Sequence, residues 1–233
     1  MILPPLALLA GGLSTRLYPQ TRTVPKSMLD VAGKPFIAIQ LALLKKKGIS
    51  KAVICLGNLG ELIEDFVKDG SDFGLSVEYS YDGGTLLGTG GAVKKALPLL
   101  GDEFWIMYGD TYLDIDLAAM YSSFLKNDAP AMMAVFKNED KWDKSNVLFD
   151  GTHVIKYDKR RPVPEMKYID YGLALLKKEC FDAVPEGAAI DLADIYKGLV
   201  EKNEMLGYEV KNRFYEIGSP KGLEETRKYL AGH

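Results

Sequence analysis

The sequence predicts an α/β fold: a mostly parallel, doubly wound sheet with helices on both faces and a small mixed β subregion. Three observations predict it. Short apolar runs alternate with stretches of helical periodicity through the first half of the 233 residues, glycines stand at the ends of those runs, and the second half turns to hairpin-like patterns. Strands that alternate with helices pair mainly in parallel and are covered on both faces. In this Rossmann-like arrangement ligands bind beyond the carboxyl ends of the strands.

The elements follow in order. Leu6 to Leu9 is a buried strand that ends at Gly11 and Gly12. From Pro35 to Lys47, Phe36, Ile39, Leu43 and Leu44 share one helical face; Lys45 to Lys47 suit the carboxyl end of the dipole and Gly48 stops the helix. Ala52 to Leu56 is the next strand. Asn58 with Glu61 resembles a capping box, with Leu59, Leu62, Ile63 and Phe66 as the apolar stripe behind it. Val77, Tyr79 and Tyr81 alternate like a half-buried strand, Gly90 to Leu97 reads as a short helix, and Phe104 to Tyr108 as a central strand. Val147 to Phe149 and Thr152 to Tyr157 flank Asp150-Gly151 as a two-residue hairpin turn. Tyr168 to Leu176 is a strand, Leu192, Ile195, Tyr196 and Leu199 mark a helix, and Ser219-Pro220 opens the last one. With no repeat or long linker, one domain is expected, with a nucleotide-binding half (about 1–115) and a substrate-binding half (about 116–233).

Composition limits the partners. Formal net charge is −3 and the basic residues are dispersed, whereas nucleic-acid or membrane-surface binding needs a concentrated basic face. Cys55 and Cys180 form neither a disulfide framework nor a zinc spacing and read as core residues of a reducing compartment. The apolar start, Met1 to Ala10, lacks a basic leader, carries Pro4 and Pro5 and runs into the glycines, so a cytoplasmic protein is expected.

The run Ala10-Gly11-Gly12-Leu13-Ser14-Thr15-Arg16 follows the first strand directly. Glycines there allow close approach of backbone to a ligand, and free amides hold phosphate oxygens. The run is neither a Walker loop nor G-x-G-x-x-G, and two adjacent glycines alone read as readily as a turn. Arg16 offers a permanently charged fork suited to pyrophosphate, and Lys26 follows the stiff Pro25; by themselves both also read as solvent-facing cations.

Leu9 to Pro19, together with Val24-Pro25-Lys26-Ser27-Met28, resembles the signature of the sugar-1-phosphate nucleotidylyltransferases. The resemblance continues through Leu87-Gly88-Thr89-Gly90-Gly91-Ala92, Tyr108-Gly109-Asp110, Asp158-Lys159, Tyr171-Gly172 and Glu216-Ile217-Gly218-Ser219, and so spans essentially the whole chain. It implies in-line attack of a sugar phosphate oxygen on the α-phosphorus of a nucleoside triphosphate, with Mg²⁺ as cofactor. A phosphate dianion needs no general base, so the catalyst's work is positioning and charge compensation.

The resemblance assigns Arg16, Lys26, Asp110 and Lys159 to catalysis. Nucleotide binding falls to Leu9, Ala10, Gly11, Gly12, Ser14, Thr15, Gly88, Thr89, Gly90 and Gly109, and sugar-phosphate binding to Asn146, Asp158, Lys159 and Gly172. Asp110 and Glu216 are the expected metal ligands. Glu216 stands where the family usually has aspartate, and is a longer but still hard oxygen donor. Thr85-Leu86-Leu87-Gly88 departs from the usual Glu-Pro-Leu-Gly, and Asp158 is shorter than the usual glutamate. Asp110 by itself also reads as a strand-end turn, Thr89 as a helix cap, and Lys159-Arg160-Arg161 as a solvated charge run. Trp105 and Trp142 are expected to be packing residues.

Within the family, the motifs look most like the short bacterial guanylyltransferases of D-glycero-D-manno-heptose 1-phosphate, with the short uridylyltransferases of N-acetylmuramate 1-phosphate nearly as similar. The expected substrates are therefore GTP and a heptose or mannose 1-phosphate. The alternatives are UTP or dTTP with another sugar 1-phosphate, a non-sugar phosphate acceptor, or a regulatory relative without turnover. A monomer and a homodimer are equally compatible with the sequence.

Overall fold

The computed structural model describes residues 1–232. In chain order the elements are β1 (Leu6–Leu9), β2 (Asp30–Val31), β3 (Lys34–Pro35), α1 (Phe36–Lys46), β4 (Lys51–Leu56), α2 (Gly60–Val67), β5 (Ser76–Tyr81), α3 (Gly88–Leu100), β6 (Glu103–Tyr108) and β7 (Thr111–Tyr112). The second half adds α4 (Leu117–Phe124), β8 (Ala131–Lys137), β9 (Val147–Phe149), β10 (Val154–Tyr157), β11 (Tyr168–Lys177), α5 (Leu192–Glu201), β12 (Met205–Val210), β13 (Tyr215–Glu216) and α6 (Pro220–Ala231).

One sheet carries the order β10-β9-β11-β6-β1-β4-β5, and β8 branches from β11 to pair with β12. Strands β6, β1, β4 and β5 are parallel, as the alternation of strands and helices requires. Strand β11 reverses direction: it runs antiparallel to β8 along one edge, and along the other to β9 at Tyr168 and to β6 from Leu173 to Lys177. Period-two alternation then sorts the core. Leu6, Leu8, Ile54 and Trp105 face one side with Ile37 and Leu41 of α1, while Ala7, Val53, Phe104 and Ile106 face the other with Val93 and Ala96 of α3 and Tyr196 of α5.

Several local expectations shift. No side chain caps α2, whose N-cap is Leu59 in a left-handed conformation, so Asn58 and Glu61 form no capping box. Its buried stripe is Gly60, Ile63 and Val67, one step round from the expected one, and Leu62 and Phe66 are exposed. Helix α3 begins two residues earlier than expected and runs on to Leu100 through Pro98. The β9–β10 turn falls one residue later, on Gly151-Thr152, because the Asp150 carboxylate accepts the Thr152 and His153 amides while the Asp150 amide donates to the His153 carbonyl. Ser219 caps α6 as expected, accepting from the Gly222 amide.

The pairing of β11 with β8 slips between Asp170 and Ala174, with Gly172 at φ +85° inside the irregularity. Such a bulge re-aims side chains. Here it turns Asp170 and Gly172 toward the carboxyl ends of the parallel strands, where both line the larger of two clefts.

Candidate active site

Two clefts open beyond the carboxyl ends of β1, β4 and β6, and Tyr108 and Asp110 form part of the wall of both. The first is lined by Leu9, Ala10, Gly11, Gly12, Ser14, Lys26, Gly88, Thr89 and Gly109 among the expected nucleotide residues. The loop after β1 is tight: a side chain on Gly11 would meet the Gly57 amide nitrogen at 2.8 Å, whereas Gly12 has open space on its corresponding side. From Gly12 to Arg16 the amides donate no hydrogen bond among the described residues. Amides left unpaired in this way, among them those of Gly12 and Ser14 in the cleft wall, are available to phosphate oxygens.

Two expected nucleotide residues lie elsewhere. Thr15 is exposed and outside both clefts. Gly90 faces the segment before α5: its amide donates to the Ile190 carbonyl, and a side chain there would meet Ile195 at 2.9 Å. Gly90 therefore serves helix-to-loop packing. Thr89 does double duty, since its hydroxyl donates to Asp191 at 3.0 Å and accepts the Leu192 amide at 2.8 Å while it lines the cleft.

Sequence reasoning missed Asp82, Leu86 and Ser27 in this cleft. Asp82 follows β5 at its carboxyl end, the place where ligands gather in such sheets, and that position was the available signal. One of its oxygens accepts the Leu87 amide at 3.1 Å. Burial raises its carboxyl above the usual range, against the opposing pull of the Leu87 amide and Lys95. Cys55 also lines the cleft, but burial pushes its thiol up to about 12, which makes it an inert wall.

At the junction of the clefts Lys26 Nζ donates to Asp110 Oδ2 at 2.6 Å. The short β7–β13 ladder pairs Thr111 with Glu216, and the Ile217 amide donates to the Asp110 carbonyl at 2.8 Å. This brings the two expected metal carboxylates together. Asp110 Oδ2, Glu216 Oε2 and Arg16 Nη2 lie 2.9, 2.8 and 3.2 Å from the point where a Gly218 side chain would begin. Glu216 is also engaged with the start of α6, where the Gly218 amide donates to Oε2 and the Ser219 hydroxyl to Oε1 at 2.6 Å. Nowhere among the described residues do three or more His, Cys, Asp or Glu side chains gather as a metal cage. Two hard carboxylates with the remaining positions left to phosphate oxygens and water is the donor set that suits Mg²⁺.

The second cleft holds Arg16, Asn146, Lys159 and Gly172. Lys159 pairs with Asp170 at 3.1 Å, donates to the Tyr108 hydroxyl at 3.3 Å and sits 4.9 Å from the centre of the Tyr108 ring. Burial alone would lower the Lys159 amine, but the Asp170 carboxylate outweighs it and holds the amine above the ordinary lysine range. Asp158 is not in this cleft. Its carboxylate accepts the Arg160 and Arg161 amides, both at 2.8 Å, in a surface turn. Trp142 departs from its expected packing role: it is 43% exposed, lines the second cleft and carries the Arg213 guanidinium 3.5 Å from its ring centre, while Trp105 is fully buried.

With this geometry in view, comparison with known proteins gives a consistent answer. Residues 7–230 match the family described as nucleotidyl transferase. An N-acetylmuramate α-1-phosphate uridylyltransferase of Neisseria meningitidis is 32% identical over 97% of each chain. A D-glycero-α-D-manno-heptose 1-phosphate guanylyltransferase of Campylobacter jejuni is 30% identical over 75% of this chain and 76% of its own. The crystal structure of HddC from Yersinia pseudotuberculosis complexed with GMP-PN superposes with a TM-score of 0.80 at 24% identity, covering 98% of this chain and 100% of that one. The protein is a nucleotide-transferring enzyme built on the α/β scaffold described above. It belongs to the nucleotidyl transferase family, among the sugar-1-phosphate nucleotidylyltransferases.

Proposed function

We propose that the enzyme transfers GMP from GTP to a heptose or mannose 1-phosphate, releasing pyrophosphate, and that it works as one cytoplasmic domain. The observation that carries the choice of base is Asp82. Guanine presents N1–H and N2–H₂ donors, and a half-buried carboxylate on the wall of the nucleotide cleft is the acceptor they require. Uracil offers a single donor and makes poorer use of it.

The free amides from Gly12 to Arg16 hold the triphosphate, and Thr89 and Gly88 border the nucleoside. An oxygen of the sugar phosphate attacks the α-phosphorus, the bond from that phosphorus to the bridging oxygen breaks, and the electron pair leaves with pyrophosphate. Lys26 and Arg16 compensate the leaving group, and Lys159 compensates the phosphates brought together at the shared wall. Bound Mg²⁺, held by Asp110 and Glu216, would supply further compensation of phosphate charge. Asn146 and Gly172 border the sugar.

The test is a panel of GTP, UTP, dTTP, ATP and CTP against several sugar 1-phosphates, scored by pyrophosphate release. The expected winner is GTP with a manno-configured sugar. A site built to pair with guanine's donors rejects other bases by up to about 10⁴-fold. The second reading, favoured by the 32% match along the full length of the Neisseria relative, is UTP with N-acetylmuramate 1-phosphate. Faster turnover with UTP or dTTP would overturn the choice of GTP and leave the reaction class intact.

A further inference from the structure

The Asp170 carboxylate in the second cleft is enclosed, its side chain 3% exposed against 19% for Asp110 and 31% for Glu225. Both of its oxygens are engaged within the protein. Oδ1 accepts the Gly172 amide at 2.9 Å, and Oδ2 accepts the Tyr157 hydroxyl at 3.2 Å and pairs with Lys159 at 3.1 Å. Its own amide donates to Asn146 Oδ1 at 2.9 Å. The bulge in β11 fixes its direction. The groups facing Lys159 come from three strands: Asp170 from β11, Tyr108 from β6, and the Tyr157 ring of β10 at 5.8 Å.

A lysine stem is flexible, and its ammonium is a point charge that follows the nearest anion. Left free, Lys159 would turn onto the incoming sugar phosphate and strengthen ground-state binding, which lowers KM without raising kcat. Held by Asp170 and the Tyr108 hydroxyl, it stays in the second cleft against Tyr108, a residue of the wall that both clefts share and beside which the phosphates meet in the proposed reaction. Burying a carboxylate costs desolvation that an ion pair scarcely offsets, so the pair is poorly explained as a source of stability.

We propose that Asp170 is a positioning residue for nucleotidyl transfer, tethering Lys159 so that its charge acts on the transferring phosphate and not on the bound sugar phosphate. The proposal rests on the phosphate role of Lys159 given above.

Asp170→Asn keeps the shape and removes the charge. Expected are a kcat lower by about tenfold, a KM for the sugar phosphate lower by a few-fold, and a KM for the nucleotide within about twofold of the parent's. An unchanged kcat, or a rise in both KM values together, overturns the proposal. The same substitution in a Lys159→Met background should leave kcat unchanged, because the carboxylate acts only through the lysine; an equal loss in both backgrounds assigns Asp170 to the scaffold instead. Should Asp170→Asn fail to fold, Tyr157→Phe loosens the carboxylate and leaves both charges. It should lower kcat about threefold at constant nucleotide KM, since it removes one hydrogen bond from the tether; no change would again overturn the tether. Full turnover by Lys159→Met would instead remove the phosphate role of Lys159, and is thereby distinguished from failure of the tether alone.

Discussion

Lys26 Nζ lies 2.6 Å from Asp110 Oδ2 at the point where the nucleotide cleft and the second cleft share a wall. In the ligand-free protein the lysine therefore compensates the carboxylate that would receive a cation. In the proposed reaction a triphosphate gives Lys26 another anion to meet, so nucleotide and metal should each favour the other's binding, a coupling that is reciprocal.

The first prediction follows from that competition. Lys26→Met should let nucleotide-free protein bind Mg²⁺ or Mn²⁺ about tenfold more tightly by calorimetry, as expected for removal of a contacting like charge. Turnover should fall on the order of 10²-fold, because a phosphate-compensating charge is gone. Equal metal affinity in parent and variant would show that the ion pair does not guard Asp110.

Asp110→Asn preserves size and a hydrogen-bond acceptor for Lys26 while removing the charge. Turnover should fall on the order of 10²-fold or more at saturating Mg²⁺. The fold should survive, as read by circular dichroism, since this side chain faces the clefts and not the core. Near-normal turnover would take Asp110 out of the site.

Glu216 both faces Asp110 and holds the first turn of α6 through the Gly218 amide and the Ser219 hydroxyl. Glu216→Ala should raise the Mg²⁺ concentration needed for half activity and lower the melting temperature, the latter by an amount matching loss of a helix cap, about 1 kcal/mol. Glu216→Asp should retain part of the metal response, because a hard oxygen remains. Unchanged metal dependence in Glu216→Ala would leave the ion to Asp110, phosphates and water.

Asp82→Asn tests the base. Replacing one acceptor oxygen by an amide donor leaves a guanine N–H facing another N–H, so kcat/KM with GTP should drop by about 10²-fold. Any slow turnover with UTP should change little. An equal drop for both nucleotides would make Asp82 a structural support for the Leu87 turn instead of a reader of the base.

The place of the Gly11-Gly12 loop on the wall of the first cleft was legible in the sequence because the pattern is local: a strand, two glycines and consecutive amides lie side by side along the chain. The sugar side was less so. Asp158-Lys159 reads as an adjacent pair, but neighbours at the end of an extended strand point to opposite sides. Asp158 accordingly turns to the Arg160 and Arg161 amides, and Lys159 finds its carboxylate on β11. No local pattern reveals that partner; an acidic residue inside the apolar run from Tyr168 to Leu176 was its only trace. Trp142 and Arg213 meet across 71 positions of sequence for the same reason. The Asn58 capping box failed because Gly57 to Gly60 follow a tight turn against the loop at Gly11, with Leu59 in a left-handed conformation.

Strand β11 is hydrogen-bonded to β6 along one edge and to β8 along the other, so two continuous ladders run beneath the place where the two clefts meet. The two clefts cannot swing apart like jaws without tearing those ladders. In the proposed reaction the molecule is a fixed jig, with both reactants brought to one stationary seam.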